Sequence, residues 1–158
     1  MNFAYFFKFT SPGSISNRME ATEQNRIELG FHVFDFEDIT HDDLTVIFGV
    51  NPNRIHIKGT QINPRFPRLA KANAWMLYAA DYEASFEEQM DSLLDILEQR
   101  TEELKPICDK YYCEFSLALY IYNNEVSMPS VHLSSRYHAL ARKLNFEFDL
   151  DLYCLQDV

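Results

Sequence analysis

The spacing of apolar residues changes period within residues 131–153. The first part has the period of a helix, with Ser134 or Ser135 as N-cap. Its apolar stripe contains Tyr137, Leu140, Ala141 and Leu144. After Asn145 the period becomes that of a strand. Phe146, Phe148, Leu150 and Leu152 then point to one face, and Glu147, Asp149 and Asp151 to the other.

A helix that leads directly into such a strand must pack on the apolar face of the strand. The pattern therefore predicts an α+β fold with one mainly antiparallel mixed sheet and helices packed on one face. With 158 residues, the chain is predicted to form a single domain over residues 1–158.

A similar unit occurs earlier in the chain. Thr40 is placed to cap a short helix that ends at Gly49, and a strand is predicted at residues 54–58 with Ile55 and Ile57 facing inward. The common order of elements favours a degenerate β-α-β duplication, and chance similarity between generic units is the alternative. If the last strands of the two units are neighbours, the three basic residues of one face the three acids of the other. These residues are Arg54, His56 and Lys58, and Glu147, Asp149 and Asp151.

Further elements follow from the same reasoning. Strands are predicted at residues 3–9, 27–37, 72–79 and 115–121, and a proline-containing loop at residues 59–69. Ser85 and Glu88 form a capping box for one long helix at residues 86–104. Pro106 is expected to kink this helix or to start a second one.

Composition excludes several classes of function. The chain has no basic N-terminal region and no run of 18 apolar residues, so it is predicted to be cytoplasmic, without a membrane span. A formal net charge of -10 argues against direct binding to nucleic acid or to an anionic membrane. The same charge favours a basic protein partner.

Motifs for catalysis, phosphate binding and metal binding are missing from the sequence. It has four glycines and no glycine-rich phosphate loop, and its five histidines show no metal-ligand spacing. We therefore expect no enzyme activity, no cofactor and no metal. Asp149, Asp151 and His56 remain the candidates if the chain is an enzyme of unrecognised type.

Charge is strongly segregated along the sequence. Residues 81–103 contain nine acidic residues and one basic residue, Arg100. Like charges at Glu87, Asp91 and Asp95 recur every fourth residue, at a cost of about 0.2–0.5 kcal/mol per pair in a helix. The predicted partner-binding residues are Glu87, Glu88, Asp91, Asp95, Glu98 and Glu102. A solvated helix face is the alternative explanation.

Residues 54–71, in contrast, contain five basic residues and no acid. Lys58, Arg65 and Arg68, together with Trp75, are candidates for an anion or small-ligand site.

Several short motifs resemble a bacterial family known as domain of unknown function number four-two-seven-nine. They are Ile39-Thr40, the Gly49 to Pro52 turn, Lys58-Gly59, Trp75 after Arg65 and Arg68, and the terminal Asp149 to Tyr153. The family has no established activity, so the resemblance supports the fold more than the function. It implies a small bacterial cytoplasmic protein, and some members are encoded near toxin systems.

Two functions remain as the main hypotheses. The first is a bacterial immunity protein that neutralises a cognate toxin, expected to be a basic nuclease, in a one-to-one complex through its acidic surface. The alternative is a regulatory domain that binds a small ligand or anion.

Overall fold

The computed structural model describes residues 25–122, 125 and 127–155. The strand predicted at residues 3–9 lies outside this range. The described elements are β1 (Arg26–Phe34), α1 (His41–Phe48), β2 (Arg54–His56), β3 (Gln61–Asn63), β4 (Phe66–Leu69), β5 (Ala74–Tyr78), α2 (Phe86–Glu98), α3 (Thr101–Lys110), β6 (Tyr112–Ile121), α4 (Ser135–Ala141) and β7 (Glu147–Cys154).

Side-chain caps fix where three of the helices begin. The Thr40 hydroxyl accepts a hydrogen bond from the Asp43 N–H of α1 at 3.1 Å, and the Asp43 carboxylate accepts one from the Thr40 N–H at 3.0 Å. Ser85 and Glu88 form the same capping box at α2, and Ser134 caps α4. Gly49 ends α1 with a φ of 68°, a left-handed conformation that glycine adopts without strain.

Five of the described strands form one sheet in the order β2-β5-β1-β6-β7. All neighbouring pairs are antiparallel except β6 and β7, which are parallel. One face of the sheet packs against the helices in a single core, with Leu29, Phe31 and Val33 of β1 fully buried. The predicted α+β class, with a mainly antiparallel mixed sheet and helices on one face, is confirmed.

The two predicted β-α-β units differ in whether their two strands are neighbours in the sheet. β6 and β7 are adjacent and parallel, whereas β5 lies between β1 and β2 and is antiparallel to both. β2 and β1 are therefore parallel but not neighbours. β2 and β7 occupy opposite edges of the sheet. The predicted ladder between the basic residues of β2 and the acidic residues of β7 is therefore wrong.

Two local predictions also need correction. The long helix predicted at residues 86–104 is divided into α2 and α3, because Arg100 has a non-helical backbone with φ -124° and ψ 20°. Pro106 lies inside α3 and does not start it. The predicted loop at residues 59–69 contains the short β3–β4 hairpin.

The apolar faces of both edge strands are less covered than their patterns predicted. Ile55 of β2 and the following Ile57 are 44% and 49% exposed. On β7, Phe148 packs near Tyr137 of α4 and Phe86 of α2, with ring centroids 5.9 and 6.5 Å apart. Leu150 and Leu152 lie beyond this cover and are 52% and 60% exposed. The reason is that α4 has only seven residues and covers only the beginning of β7.

Candidate protein-binding surface

The acidic residues of α2 lie on the side of the helix that faces away from the core. Met90, Leu93 and Leu97 are buried against the sheet layer, while Glu87, Asp91, Asp95 and Glu98 are exposed. This arrangement follows from the 3.6-residue period, which separates the apolar and acidic stripes. The predicted acidic surface on α2 therefore exists as an exposed helix face.

Arg136 of α4 neutralises part of this surface. Its Nη1 lies 3.1 Å from Asp91, and its Nη2 lies 2.5 Å from Asp95. Nε and Nη2 also donate to the two carboxylate oxygens of Glu98, at 3.0 and 2.9 Å. The carboxylates of Glu98 and, after it, Asp95 raise the pKa of the Arg136 guanidinium further above its already high value. One cation thus stabilises three acids and offsets the repulsion expected along α2, leaving a cluster with a net charge of -2.

The other predicted partner-binding residues have different environments. Glu88 belongs to the capping box of α2, where the Ser85 backbone N–H, followed by its hydroxyl, lowers the pKa of the carboxylate. Glu87 and Glu102 are exposed, and neither forms an ion pair with another residue in the described part of the chain. Of the six residues, these two have carboxylates that take part in neither an ion pair nor a helix cap among the described residues.

The residues predicted for an anion or ligand site lie in different environments. Trp75 is fully buried, stacks on Phe48 with ring centroids 4.2 Å apart and donates to Thr45 Oγ1 at 3.2 Å. Lys58 forms an ion pair with Glu37 at 2.5 Å. Arg65 and Arg68 are exposed in the region of the β3–β4 hairpin. Because the Trp75 ring faces the core, it cannot line an exposed pocket with the three basic residues.

The sheet face opposite the helices contains a buried polar cluster. Nδ1 of His32 lies 3.7 Å from Glu114 Oε1, and the Tyr112 hydroxyl donates to Glu114 Oε2 at 2.8 Å. The imidazole of His32 is the main cause of a lowered pKa at Glu114. His32 Nε2 is buried without a hydrogen-bond partner among the described residues and packs over Gly30.

Two described grooves are lined by residues other than those of this cluster and of the predicted sites. Grooves of about 490 and 270 Å³ open beside Arg26 and Tyr82, and neither is lined by His32 or by the predicted residues. Within the described ranges, no group of three or more histidine, cysteine, aspartate or glutamate residues is placed to hold a metal ion. No described helix is long and apolar enough to cross a membrane.

The exposed edge of β7 is a feature that the sequence patterns did not reveal. Glu147, Asp149 and Asp151 lie on the sheet face away from the helices, and Leu150 and Leu152 lie on the helix side. None of the three acids forms an ion pair with a described residue; Glu147 accepts a hydrogen bond from the Tyr112 hydroxyl at 3.3 Å. The alternating pattern of β7 was visible in the sequence, but the limited cover provided by α4 was not.

Comparison with protein families gives a match over most of the chain. Residues 25–155 match the model of a family described as a domain of unknown function (DUF4279). Searches of curated proteins and of solved structures found no match. Since the match spans all of the described secondary structure, from β1 to β7, the chain belongs to the DUF4279 family.

Proposed function

We propose that this chain is an immunity protein that binds a cationic toxin in the cytoplasm and neutralises it in a one-to-one complex. A basic nuclease is the toxin class that fits best, because an acidic protein can cover the cationic cleft that binds nucleic acid. The observation that carries the proposal is the row of Glu147, Asp149 and Asp151 on β7, which no described cation neutralises.

Electrostatics supports a protein partner of opposite charge. The formal net charge of -10 attracts a cationic protein over distances comparable with the Debye length, about 8 Å at physiological salt. Complementary charge at the interface then increases the association rate and selects the partner. The cluster on α2 adds to this field, since Arg136 balances only one of its three acids.

The test is co-expression of the chain with the product of the adjacent upstream gene. An immunity protein should co-purify with that product in a one-to-one complex, inhibit its nuclease activity and lose affinity as salt concentration rises. Failure to form a complex, or a complex that leaves the toxin fully active, would refute the proposed function.

Charge-reversal variants show which of the two acidic surfaces binds the toxin. Asp149→Lys with Asp151→Lys tests β7, and Glu87→Lys with Glu102→Lys tests the unpaired acids of α2 and α3. We expect the β7 variant to raise Kd about tenfold or more at low salt, corresponding to roughly 1.4 kcal/mol.

The matched control is Asp42→Lys with Glu83→Lys, which changes net charge equally at two exposed acids that form no ion pair with a described residue. Equal weakening by all three double variants would indicate an effect of net charge alone. A loss confined to the Glu87 and Glu102 variant would place the interface on the acidic face of α2 and α3, which contains the residues predicted from the sequence.

A further inference from the structure

β7 forms one edge of the sheet that the described strands build. The Leu155 N–H donates to the Ile121 carbonyl of β6 at 2.8 Å, in a parallel register that pairs Ile121 with Cys154. Backbone groups of successive residues in a strand point to opposite sides. The odd-numbered residues of β7 therefore bond to β6, and the even-numbered residues direct their N–H and C=O groups outward. These are Phe148, Leu150, Leu152 and Cys154.

No described strand occupies this edge, and β7 has few of the features that usually protect one. Its pairing with β6 runs without a bulge from Glu147 to Cys154, and it contains neither proline nor lysine. Leu150 and Leu152 are each more than half exposed beside it. An added strand would bury both leucines and pair the outward backbone groups.

The side chains of β7 define the chemistry of such a strand. Every second side chain of the incoming segment would lie beside Leu150 and Leu152 and should be apolar. The intervening side chains would lie beside Glu147, Asp149 and Asp151 and should be basic, because opposite charges on neighbouring strands stabilise the pairing. The pattern therefore matches an extended segment that alternates basic and apolar residues.

A second copy of this chain fits the edge poorly. A symmetric antiparallel pairing centred on Leu150 would place Asp149 of one copy opposite Asp151 of the other on the same face. Like charges directly opposite one another destabilise the pairing. In this register the acids therefore disfavour self-association, and they favour a cationic partner.

We propose that β7 accepts an extended segment of the cationic partner as a sixth strand of the sheet, with apolar and basic residues in alternation. This inference rests on the proposed immunity function and adds how the partner binds. Main-chain hydrogen bonds would supply affinity and the alternating side chains specificity, as in other cases of strand addition.

A peptide experiment tests the edge without knowledge of the toxin. The probe is an octapeptide of alternating valine and lysine, added to the full chain labelled with ¹⁵N. We expect amide signals of the even-numbered residues of β7 to shift and their hydrogen exchange to slow at least tenfold on saturation. A peptide of the same composition in two blocks, and an alternating valine-glutamate peptide, should produce neither effect.

Two variants at one position isolate the backbone contribution. Leu152→Pro removes an outward N–H that β6 does not use, and Leu152→Val keeps both this N–H and an apolar side chain. We expect Leu152→Pro to raise the Kd for the alternating peptide and for the upstream toxin at least tenfold, and Leu152→Val less than threefold. If Leu152→Pro fails to fold, Asp149→Lys with Asp151→Lys provides the second test, by reversing the preference from the valine-lysine to the valine-glutamate peptide.

The possible outcomes distinguish the two proposals. Strand addition would be overturned if the peptide caused no shifts in β7. It would also be overturned if the outward amides of β7 were already protected from hydrogen exchange in the chain without peptide, whether at all protein concentrations or only at high ones. A toxin that binds Leu152→Pro and Leu152→Val equally would also overturn it, while the immunity function would stand. Peptide binding at β7 without toxin capture would support the acceptor edge and refute the immunity function.

Discussion

Replacement of Arg136 by methionine should destabilise the fold by removing the one cation shared by three acids of α2. Its guanidinium makes contacts of 2.5–3.1 Å with Asp91, Asp95 and Glu98. An exposed ion pair contributes about 0.2–1 kcal/mol, so three pairs give roughly 0.6–3 kcal/mol. The Arg136 side chain is 34% exposed, and solvent screening keeps the expected loss in the lower part of this range, about 0.6–2 kcal/mol. Methionine retains much of the apolar side-chain volume.

The expected decrease in Tm is about 1–8 °C for a chain of this size. Thermal and urea unfolding at low salt should both report it. In about 1 M salt, where the Debye length falls to about 3 Å, the difference from the unmodified protein should shrink. Replacing Asp91 and Asp95 by asparagine in the Arg136→Met background should recover part of the stability, because it removes the repulsion along α2.

The control is Arg142→Met, which removes the same charge at the end of α4, where no ion pair is formed with a described residue. We expect it to change the free energy of unfolding by less than about 0.5 kcal/mol. The reasoning would be refuted if Arg136→Met were no more destabilising than Arg142→Met, or if its effect were the same at both salt concentrations.

Three further substitutions test the sheet and its opposite face. Gly30→Ala should cost about 1–3 kcal/mol in urea unfolding, because the added Cβ would lie 2.6 Å from Nε2 of His32. Gln89→Leu should cost roughly 2–4 kcal/mol, because the buried amide accepts from the Leu29 N–H at 3.1 Å and its loss leaves backbone groups unpaired. Glu114→Gln should flatten the acid side of the profile of stability against pH, measured by urea unfolding. The folded-state pKa of Glu114 is lowered, so its contribution is present above the ordinary value of 4.5 and is lost as pH falls through the folded value.

Each of these substitutions has a control in the same region. Ser116→Ala changes the residue paired with Gly30 on β6, Gln99→Leu changes the exposed glutamine after α2, and Asp149→Asn changes an exposed acid on the same sheet face as Glu114. All three should stay within about 0.5 kcal/mol of the unmodified protein. If a control lowered stability as much as its partner substitution, the contact proposed as the cause would be refuted.

Local signals in the sequence predicted the helices that begin with a side-chain cap. Thr40, Ser85 and either Ser134 or Ser135 were predicted as caps, and Thr40, Ser85 and Ser134 each accept the expected backbone hydrogen bond. The alternation of apolar and acidic residues predicted which face of the sheet each side chain of β7 lies on. These features depend on neighbours a few residues apart, which is the range over which pattern reasoning is informative.

Features that depend on distant segments were not predictable in this way. The order of the strands, which separates β2 from β7, depends on the insertion of β5 beside β1. The three contacts of Arg136 join α4 to a helix about forty residues earlier. The sequence showed the acids of α2, but only the packing of α4 showed that a distant arginine neutralises part of their charge.

The parallel pairing of β6 and β7 also affects the order in which the chain folds. β6 ends at Ile121 and β7 begins at Glu147, so β1, β5 and β6 can all be synthesised and can pair with one another before β7 exists. β7 also follows all other described elements in the order of synthesis. A nascent chain therefore carries β6 as its sheet edge until β7 arrives, and a product truncated before residue 147 would be prone to aggregation or degradation.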